Sequence, residues 1–157
     1  MAGIKISELP EISSLNDDDI FPVVTDTGGG TLVTKKIKAK NVISDEVIYS
    51  IVLHQEETVT KKDNHLRLII PSKYNGRTVI KVVAYLPGAA SSSGSVVVRV
   101  YNVTKSSSIA SVTISSGATV GTQSASHVLA TNNVIRVDVT SAGTNAKGLQ
   151  IYMEIQK

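Results

Sequence analysis

Residues 94–105 read Gly-Ser-Val-Val-Val-Arg-Val-Tyr-Asn-Val-Thr-Lys, the longest run of β-branched and aromatic residues in the chain. Because side chains alternate along a strand, one face of this segment consists of valine alone, at Val96, Val98 and Val100. The opposite face carries Arg99 and Tyr101. The run therefore predicts a strand with one buried face and one face that reaches water.

The same alternation occurs in two later segments, 135–140 and 149–156. Their apolar positions are Ile135, Val137, Val139, Leu149, Ile151, Met153 and Ile155. Further strands are predicted between turns rich in Gly, Ser, Asn or Pro, at about 65–70, 78–86, 109–115 and 126–130. Half-buried strands in such a series close on themselves only as a sandwich or a barrel. We predict an all-β fold for residues 63–157, an antiparallel β-sandwich that is jelly-roll-like.

Residues 1–43 lack the sustained periodicity of a self-sufficient core. Pro10 and Pro22 exclude a long helix and confine any strand there to an edge. An extended N-terminal arm of this kind usually buries its apolar anchors against a partner. The anchors are Ile4, Ile6, Leu9, Ile12, Ile20, Phe21, Val23, Val24 and Ile37.

Residues 44–62 are predicted to form a connecting strand and turn. Val47, Tyr49, Ile51 and Leu53 recur with a period of two, which favours a strand. A short helix over 45–55 is the alternative, because Ser44-Asp45-Glu46 resembles a helix cap.

Composition limits the classes of function. The chain has 157 residues, no cysteine and 4% aromatic residues, so disulfides and thiolate metal sites are excluded and stacking platforms for sugars or bases are scarce. Neither a secretory signal nor a long apolar run is present, which favours synthesis in the cytoplasm and no membrane partner.

The net charge of +3 is unevenly distributed along the chain. Residues 1–62 hold ten acids against seven lysines, whereas residues 63–157 hold nine basic residues against three acids. This separation suits electrostatic docking onto another surface, and a scatter of solvated charges is the alternative. Lysines interleaved with Ile37 and Ala39 over 35–40 indicate a protected strand edge rather than a nucleic-acid site.

Patterns typical of enzymes and cofactor sites are weak. His54, His65 and His127 lie far apart, without the spacing of a metal site. The Asp17–Asp19 run lacks the spacing of a calcium loop, and Gly28–Gly30 lacks the residues of a phosphate loop. The sequence therefore predicts no enzyme, no catalytic or metal-binding residue and no cofactor.

A glycan hydrolase is the alternative from another class. It needs two carboxylates, and residues 63–157 offer only Asp63, Asp138 and Glu154. An ion pair between Asp138 and Arg99 or Arg136 across neighbouring strands is the simpler prediction for these charges.

Three sequence motifs in the N-terminal arm resemble motifs of a known class of proteins. They are Ile4-Lys5-Ile6-Ser7-Glu8-Leu9-Pro10, then Leu15-Asn16-Asp17-Asp18-Asp19-Ile20-Phe21-Pro22-Val23-Val24, then Thr34-Lys35-Lys36-Ile37 followed by Asn41-Val42. In order and spacing they resemble the N-terminal segment of tail fibres and head fibres of tailed bacteriophages. The resemblance covers about 40 residues. It implies that the anchors named above contact the virion or other subunits.

A second resemblance lies in the predicted sandwich, over about 90 residues. Its strings are Leu68-Ile69-Ile70-Pro71 to Gly76, Val97 to Thr104, Ile114 to Gly117, Val134 to Val139 and Ala142 to Leu149. They are similar to a small β domain of phage virion proteins. The acidic residue that such domains often carry after the third string is replaced here by Ala118-Thr119.

Together the resemblances imply a non-enzymatic protein of a phage virion, made in the host bacterial cytoplasm. A chain of this length has no room for a long fibre shaft, which favours a capsid decoration or head-fibre protein. Thin arms bury their anchors by intertwining, so a homotrimer bound to the major capsid protein or other virion proteins is expected. The alternative is a short tail or baseplate fibre whose loops 87–94 and 142–147 contact a host surface glycan.

Overall fold

The structure is a computed structural model that describes residues 20–26, 32–38 and 46–156. The chain divides into two compact units, Met1–Ser44 and Asp45–Lys157. The first unit contains an antiparallel hairpin of β1 (Ile20–Asp26) and β2 (Leu32–Lys38), with Phe21 opposite Ile37. Pro22 is compatible with β1 because a two-stranded sheet has no central strand.

The hairpin contains five of the predicted anchors, Ile20, Phe21, Val23, Val24 and Ile37. The other four, Ile4, Ile6, Leu9 and Ile12, lie outside the described residues, as do Asp17–Asp19 and Gly28–Gly30.

The second unit is a β-sandwich of two four-stranded antiparallel sheets. The strands are β3 (Glu46–Thr58), β4 (Lys62–Ile69), β5 (Thr78–Tyr85), β6 (Ser93–Asn102), β7 (Ser107–Ile114), β8 (Val120–Val128), β9 (Val134–Thr144) and β10 (Lys147–Gln156), with a short 3-10 helix at Ser72–Tyr74. The first sheet has the order β3-β10-β5-β8 and the second the order β4-β9-β6-β7. This arrangement is the jelly roll, so the predicted fold class is confirmed.

The core lies between the two sheets and consists of the predicted apolar faces. Each valine of the 94–105 run that was assigned to the dry face is fully buried, and the apolar positions of β9 and β10 are at most 1% exposed. With one phenylalanine and no tryptophan in the chain, this core is filled by Val, Ile, Leu, Ala and Met, and Tyr74 is the aromatic residue among its described members. Alternation therefore predicted the inner faces of β6, β9 and β10 correctly.

The sandwich begins earlier than the predicted boundary at residue 63, which falls inside β4. Residues 46–58 do not merely connect: β3 pairs along β10 from Glu46 to Thr58 and forms one edge of the first sheet. The predicted strand is correct there, and the alternative helix is wrong. Ile48, Val52 and Leu53 pack on the core, whereas Val47, Tyr49 and Ile51 are exposed.

Strand β8 differs most from its prediction at 126–130, because it runs from Val120 to Val128. Its sequence is mostly polar, and its buried position near the start is Gly121. A Cβ atom on Gly121 would lie 2.4 Å from the carbonyl oxygen of Thr113, so the close approach of β7 requires glycine there. A strand that packs through small residues carries little apolar signal in its sequence.

The turns gather at two opposite ends of the sandwich. The proximal end contains the start of β3 and the turns 70–77, 103–106 and 129–133, linked by the Ile70 N–H to the Asn133 carbonyl (2.9 Å). The distal end contains the turns 59–61, 86–92, 115–119 and 145–146, linked by the Leu86 N–H to the Thr119 carbonyl (2.8 Å). The chain therefore joins the sandwich at the end opposite the distal turns.

Candidate functional site

A charged cluster lies on the outer face of the second sheet. Asp138 on β9 is fully buried, although it points away from the core that Val137 and Val139 enter. Its Oδ2 accepts hydrogen bonds from Nε and Nη2 of Arg99 (3.0 and 2.8 Å) and from Nη2 of Arg136 (3.0 Å). The predicted ion pair is confirmed, and it includes both arginines.

The other oxygen of Asp138 is also occupied. The backbone N–H of Asn64 donates to Oδ1 (2.7 Å), and Nε of Arg136 lies 2.8 Å from the same atom. The guanidinium carbons of Arg99 and Arg136 lie 5.5 and 5.2 Å from the ring centre of Tyr101, within the range of cation–π attraction. The cluster thus ties β4, β6 and β9 together outside the core.

The contacts of Asp138 set its protonation. Burial by itself would raise the pKa of this carboxyl, but the Asn64 N–H and the two guanidinium groups outweigh burial and leave the pKa below its usual value. Asp138 is therefore ionised at neutral pH with both oxygens engaged. This arrangement suits structural support and leaves Asp138 poorly suited to general acid or base chemistry.

The two loops expected to contact a host glycan come together at the distal end. Lys147 forms a bridge with Ala89: the Lys147 N–H donates to the Ala89 carbonyl (3.0 Å), and the Ala89 N–H donates to the Lys147 carbonyl (3.2 Å). Strand β9 extends to Thr144, so the predicted loop 142–147 is reduced to a tight turn at 145–146. The backbone of Asn145 in that turn has a φ of 61°, which asparagine tolerates better than most residues.

Ser91 holds the distal turns in place. Its side chain is almost fully buried, and its hydroxyl donates to the Ser93 carbonyl (2.7 Å) while accepting from the Thr144 N–H (2.9 Å). Its own carbonyl accepts from the N–H of Gly117 (2.8 Å). One serine therefore links three turns, and nothing in the run Ser91-Ser92-Ser93 distinguishes it in the sequence.

Gly143 is required where β9 passes Ser91. Its φ is 62°, and a Cβ atom there would lie 2.3 Å from the Ser91 hydroxyl oxygen. A larger residue would be strained and would also displace the serine that organises the distal end.

A buried polar network occupies the proximal end. Asn102 lies on the same inward face of β6 as Val96, Val98 and Val100, and it is fully buried. The Lys105 N–H donates to Oδ1 of Asn102 (3.1 Å), which orients the amide, and Nδ2 then donates to Oδ1 of Asn133 (2.9 Å) and lies 3.0 Å from Nε2 of His127. Asn133 also accepts from the Ala130 N–H (3.0 Å). The sequence indicates this network only by the polar Asn102 at a position where the alternation of β6 places apolar residues.

His127 must be neutral to accept the Asn102 hydrogen bond through Nε2. Burial, followed by the nearby positive charge of Lys105, lowers the pKa of His127. Its contribution to stability is therefore complete above the ordinary histidine pKa of about 6.5 and is lost as the pH falls below that value.

We expect the free energy of unfolding of the chain to fall by about 1 kcal/mol between pH 7.5 and 5 through His127, the typical contribution of one hydrogen bond. Urea denaturation at both pH values measures this loss. The His127→Gln variant should show a smaller loss, because glutamine does not titrate, while the control His54→Gln, at an exposed position, should behave as the parent. An unchanged pH dependence in His127→Gln would contradict the prediction.

The remaining predicted positions are scattered. His54 is exposed on β3, and His65 on β4 lies with Nε2 2.9 Å from the Thr60 carbonyl. Among the described residues, no three or more His, Cys, Asp or Glu side chains are grouped as metal ligands would be. Within the same residues there is no helix of the length and apolar character that crossing a membrane requires.

Comparison of the chain with protein-family models and with curated proteins finds no match.

Proposed function

We propose that this chain is a non-enzymatic structural protein of a tailed-bacteriophage virion, a capsid decoration or head-fibre protein. Residues 1–44 attach it to the particle, and the jelly roll is displayed outward. The observation that carries the proposal is the division of the chain at Ser44, soon after the Thr34-Lys35-Lys36-Ile37 string that resembles phage attachment segments. A separate N-terminal unit ahead of a sandwich with its own core is what such a protein needs.

The organisation of the sandwich supports the same proposal. Strand β3, the first strand of the sandwich, begins at the proximal end, and the distal turns lie at the opposite end of the sandwich. The outer face of the second sheet uses Asp138 to brace three strands. Bracing of this kind suits a domain that has to persist on the outside of a particle.

The proposal is tested by adding purified full-length chain to capsids of its phage that lack it, followed by sedimentation of the particles. We expect the full chain to bind as an oligomer. Replacing Phe21 and Ile37, which pair across the hairpin, by serine should weaken binding about a hundredfold or more, since each apolar side chain that the proposed contact buries contributes about 1.5–3 kcal/mol.

The matched control is Ile69→Ser, a change at an exposed apolar residue of the sandwich, which should bind as the parent does. A full-length chain that remains monomeric and does not bind capsids would contradict the proposal.

A short tail or baseplate fibre is the second candidate. It is favoured by the joining of the loops 87–94 and 142–147 at the distal end, where a host surface glycan would meet both. Blocking of phage adsorption by residues 45–157 would support this candidate. Unchanged adsorption, together with binding of the full chain to capsids, would support the first.

A further inference from the structure

The outer face of the first sheet carries an exposed apolar surface, which we call the tyrosine face. Its members are Val47 (54% exposed), Tyr49 (53%), Ile51 (49%), Tyr85 (40%), Val120 (49%) and the half-buried Tyr152. Three of the five tyrosines of the chain lie on this one face. The equivalent face of the second sheet is instead occupied by the arginines and Asp138 described above.

Strand register makes the tyrosine face continuous. Tyr152 on β10 lies between Tyr49 on β3 and Val83 on β5, and Gln150 lies between Ile51 and Tyr85 in the next row. Tyr85 in turn pairs with Val120 on β8. The surface therefore crosses all four strands without a charged residue in these two rows.

The border of the tyrosine face is polar. In the row nearer the proximal end, Nζ of Lys81 lies 2.9 Å from a carboxylate oxygen of Glu154. An apolar centre rich in tyrosine with a charged rim is the composition of a protein–protein interface. The largest contiguous apolar patch on a protein surface is often such an interaction site, especially where polar residues surround it.

Strand β3 adds an edge to the tyrosine face. Among the strands that the structure describes, β3 is the edge strand of its sheet, yet residues 47–51 pair with β10 in unbroken register and contain no charge, no proline and no glycine; the first register shift comes only at 51–53. Exposed edges of this length are normally protected by lysine, proline or a bulge that turns the strand away, because their free backbone groups pair with other chains. The first sheet therefore presents both an apolar face and a pairing edge along β3.

The position of β3 in the chain identifies the occupant. Unit Met1–Ser44 ends three residues before Val47, a span of about 10 Å at most. If the N-terminal units join copies of the chain, as in the proposed function on which this inference rests, β3 is the strand of each sandwich that directly follows that junction along the chain. The effective concentration of neighbouring sandwiches there is about millimolar, so an interface of moderate strength suffices.

We propose that the tyrosine face packs against the sandwich of a neighbouring copy of this chain in the same oligomer. Tyrosine fits this role because its ring buries a large apolar area while its hydroxyl stays hydrogen-bonded at a partly wet contact. The second sheet, with its charged outer face, then faces away from the oligomer axis.

The absence of cysteine from the chain makes thiol labelling a specific test. The full-length variants Tyr49→Cys and Ile51→Cys place a single thiol on the tyrosine face. Ile69→Cys is the control, since Ile69 is a similarly apolar residue, 68% exposed, at the end of β4 in the other sheet. Reaction with a maleimide dye is followed at high and low protein concentration, alongside sedimentation to determine oligomeric state.

We expect labelling at positions 49 and 51 to slow about tenfold in the oligomer, because the thiol reacts only after dissociation, and to recover on dilution. Labelling of Ile69→Cys should be fast at both concentrations. An oligomeric chain in which all three positions label equally would overturn the inference while leaving the proposed attachment intact. Slow labelling that persists in the diluted monomer would mean that the chain covers its own face, which also overturns it. A chain that is monomeric throughout would count against the proposed function itself.

Discussion

Replacing Asp138 with asparagine should lower the free energy of unfolding of the chain by about 3 kcal/mol. The carboxylate is fully buried, and both oxygens accept hydrogen bonds or contact guanidinium groups. Asparagine would present an NH₂ group to donors and would leave Arg99 and Arg136 without their counter-charge. The expected loss lies at the low end for buried ion pairs, because the side chains of Arg99 and Arg136 remain 36% and 23% exposed. Urea denaturation of the parent and the variant at pH 7 measures this loss in the free energy of unfolding.

The matched control is Asp63→Asn. Asp63 is also an acid near Arg99, with its carboxylate 3.9 Å from Nη2, but it is 71% exposed, so its loss should change stability by less than about 1 kcal/mol. Equal effects of the two substitutions would show that burial of Asp138 is not what matters.

The same carboxylate predicts a pH dependence. Because the pKa of Asp138 is lower in the folded chain than in the unfolded chain, its contribution is complete above the ordinary carboxyl pKa of about 3.9 and is lost as the pH falls through the folded-state value. The difference in stability between the parent and Asp138→Asn should therefore narrow below about pH 4.

Replacing Gly143 with alanine should also cost about 3 kcal/mol and loosen the distal end. A φ of 62° is strained by about 1–2 kcal/mol for an L-residue with a Cβ atom. The new methyl group would also displace the Ser91 hydroxyl and break its hydrogen bond from Thr144, at about another 1–2 kcal/mol. Denaturation gives the total, and faster amide hydrogen exchange at residues 86–92 and 115–119 would identify the region.

Gly117→Ala separates backbone strain from the collision. Gly117 has a similar φ of 79°, but no atom lies within 4 Å of its Cβ position. This variant should lose only about 1–2 kcal/mol. If it is as unstable as Gly143→Ala, the contact with Ser91 contributes nothing.

Three of the residues described above lie in the sequence motifs that resemble a β domain of phage virion proteins. They are Asn102, Asp138 and Gly143, and each one holds turns or strands together. Asn102 fastens the proximal turns, Asp138 braces three strands, and Gly143 makes room for Ser91. Because the roles of these residues are structural, the motifs that contain them indicate the architecture of the sandwich.

The sequence alone determined the sandwich and most of its inner faces. Alternation is a local property, so runs such as Val96, Val98 and Val100 specify which side of a strand is buried without knowledge of its neighbours. Turn residues separated the strands for the same reason. The predicted pairing of Asp138 with arginine also followed from the charges along adjacent strands.

Only the tertiary structure decided what lies next to what. It placed β3 in the first sheet, with Tyr49 and Ile51 exposed. The sequence could not predict this, because apolar residues lie on both faces of a strand over 47–53 and do not indicate which face is buried. It extended β8 through residues too small and polar to indicate burial, and it brought Ser91 of the 86–92 turn together with Gly143 and Thr144 at the end of β9, 52 or more residues away. Contacts between distant segments depend on strand order and register, and these are fixed only when the two sheets close on one core.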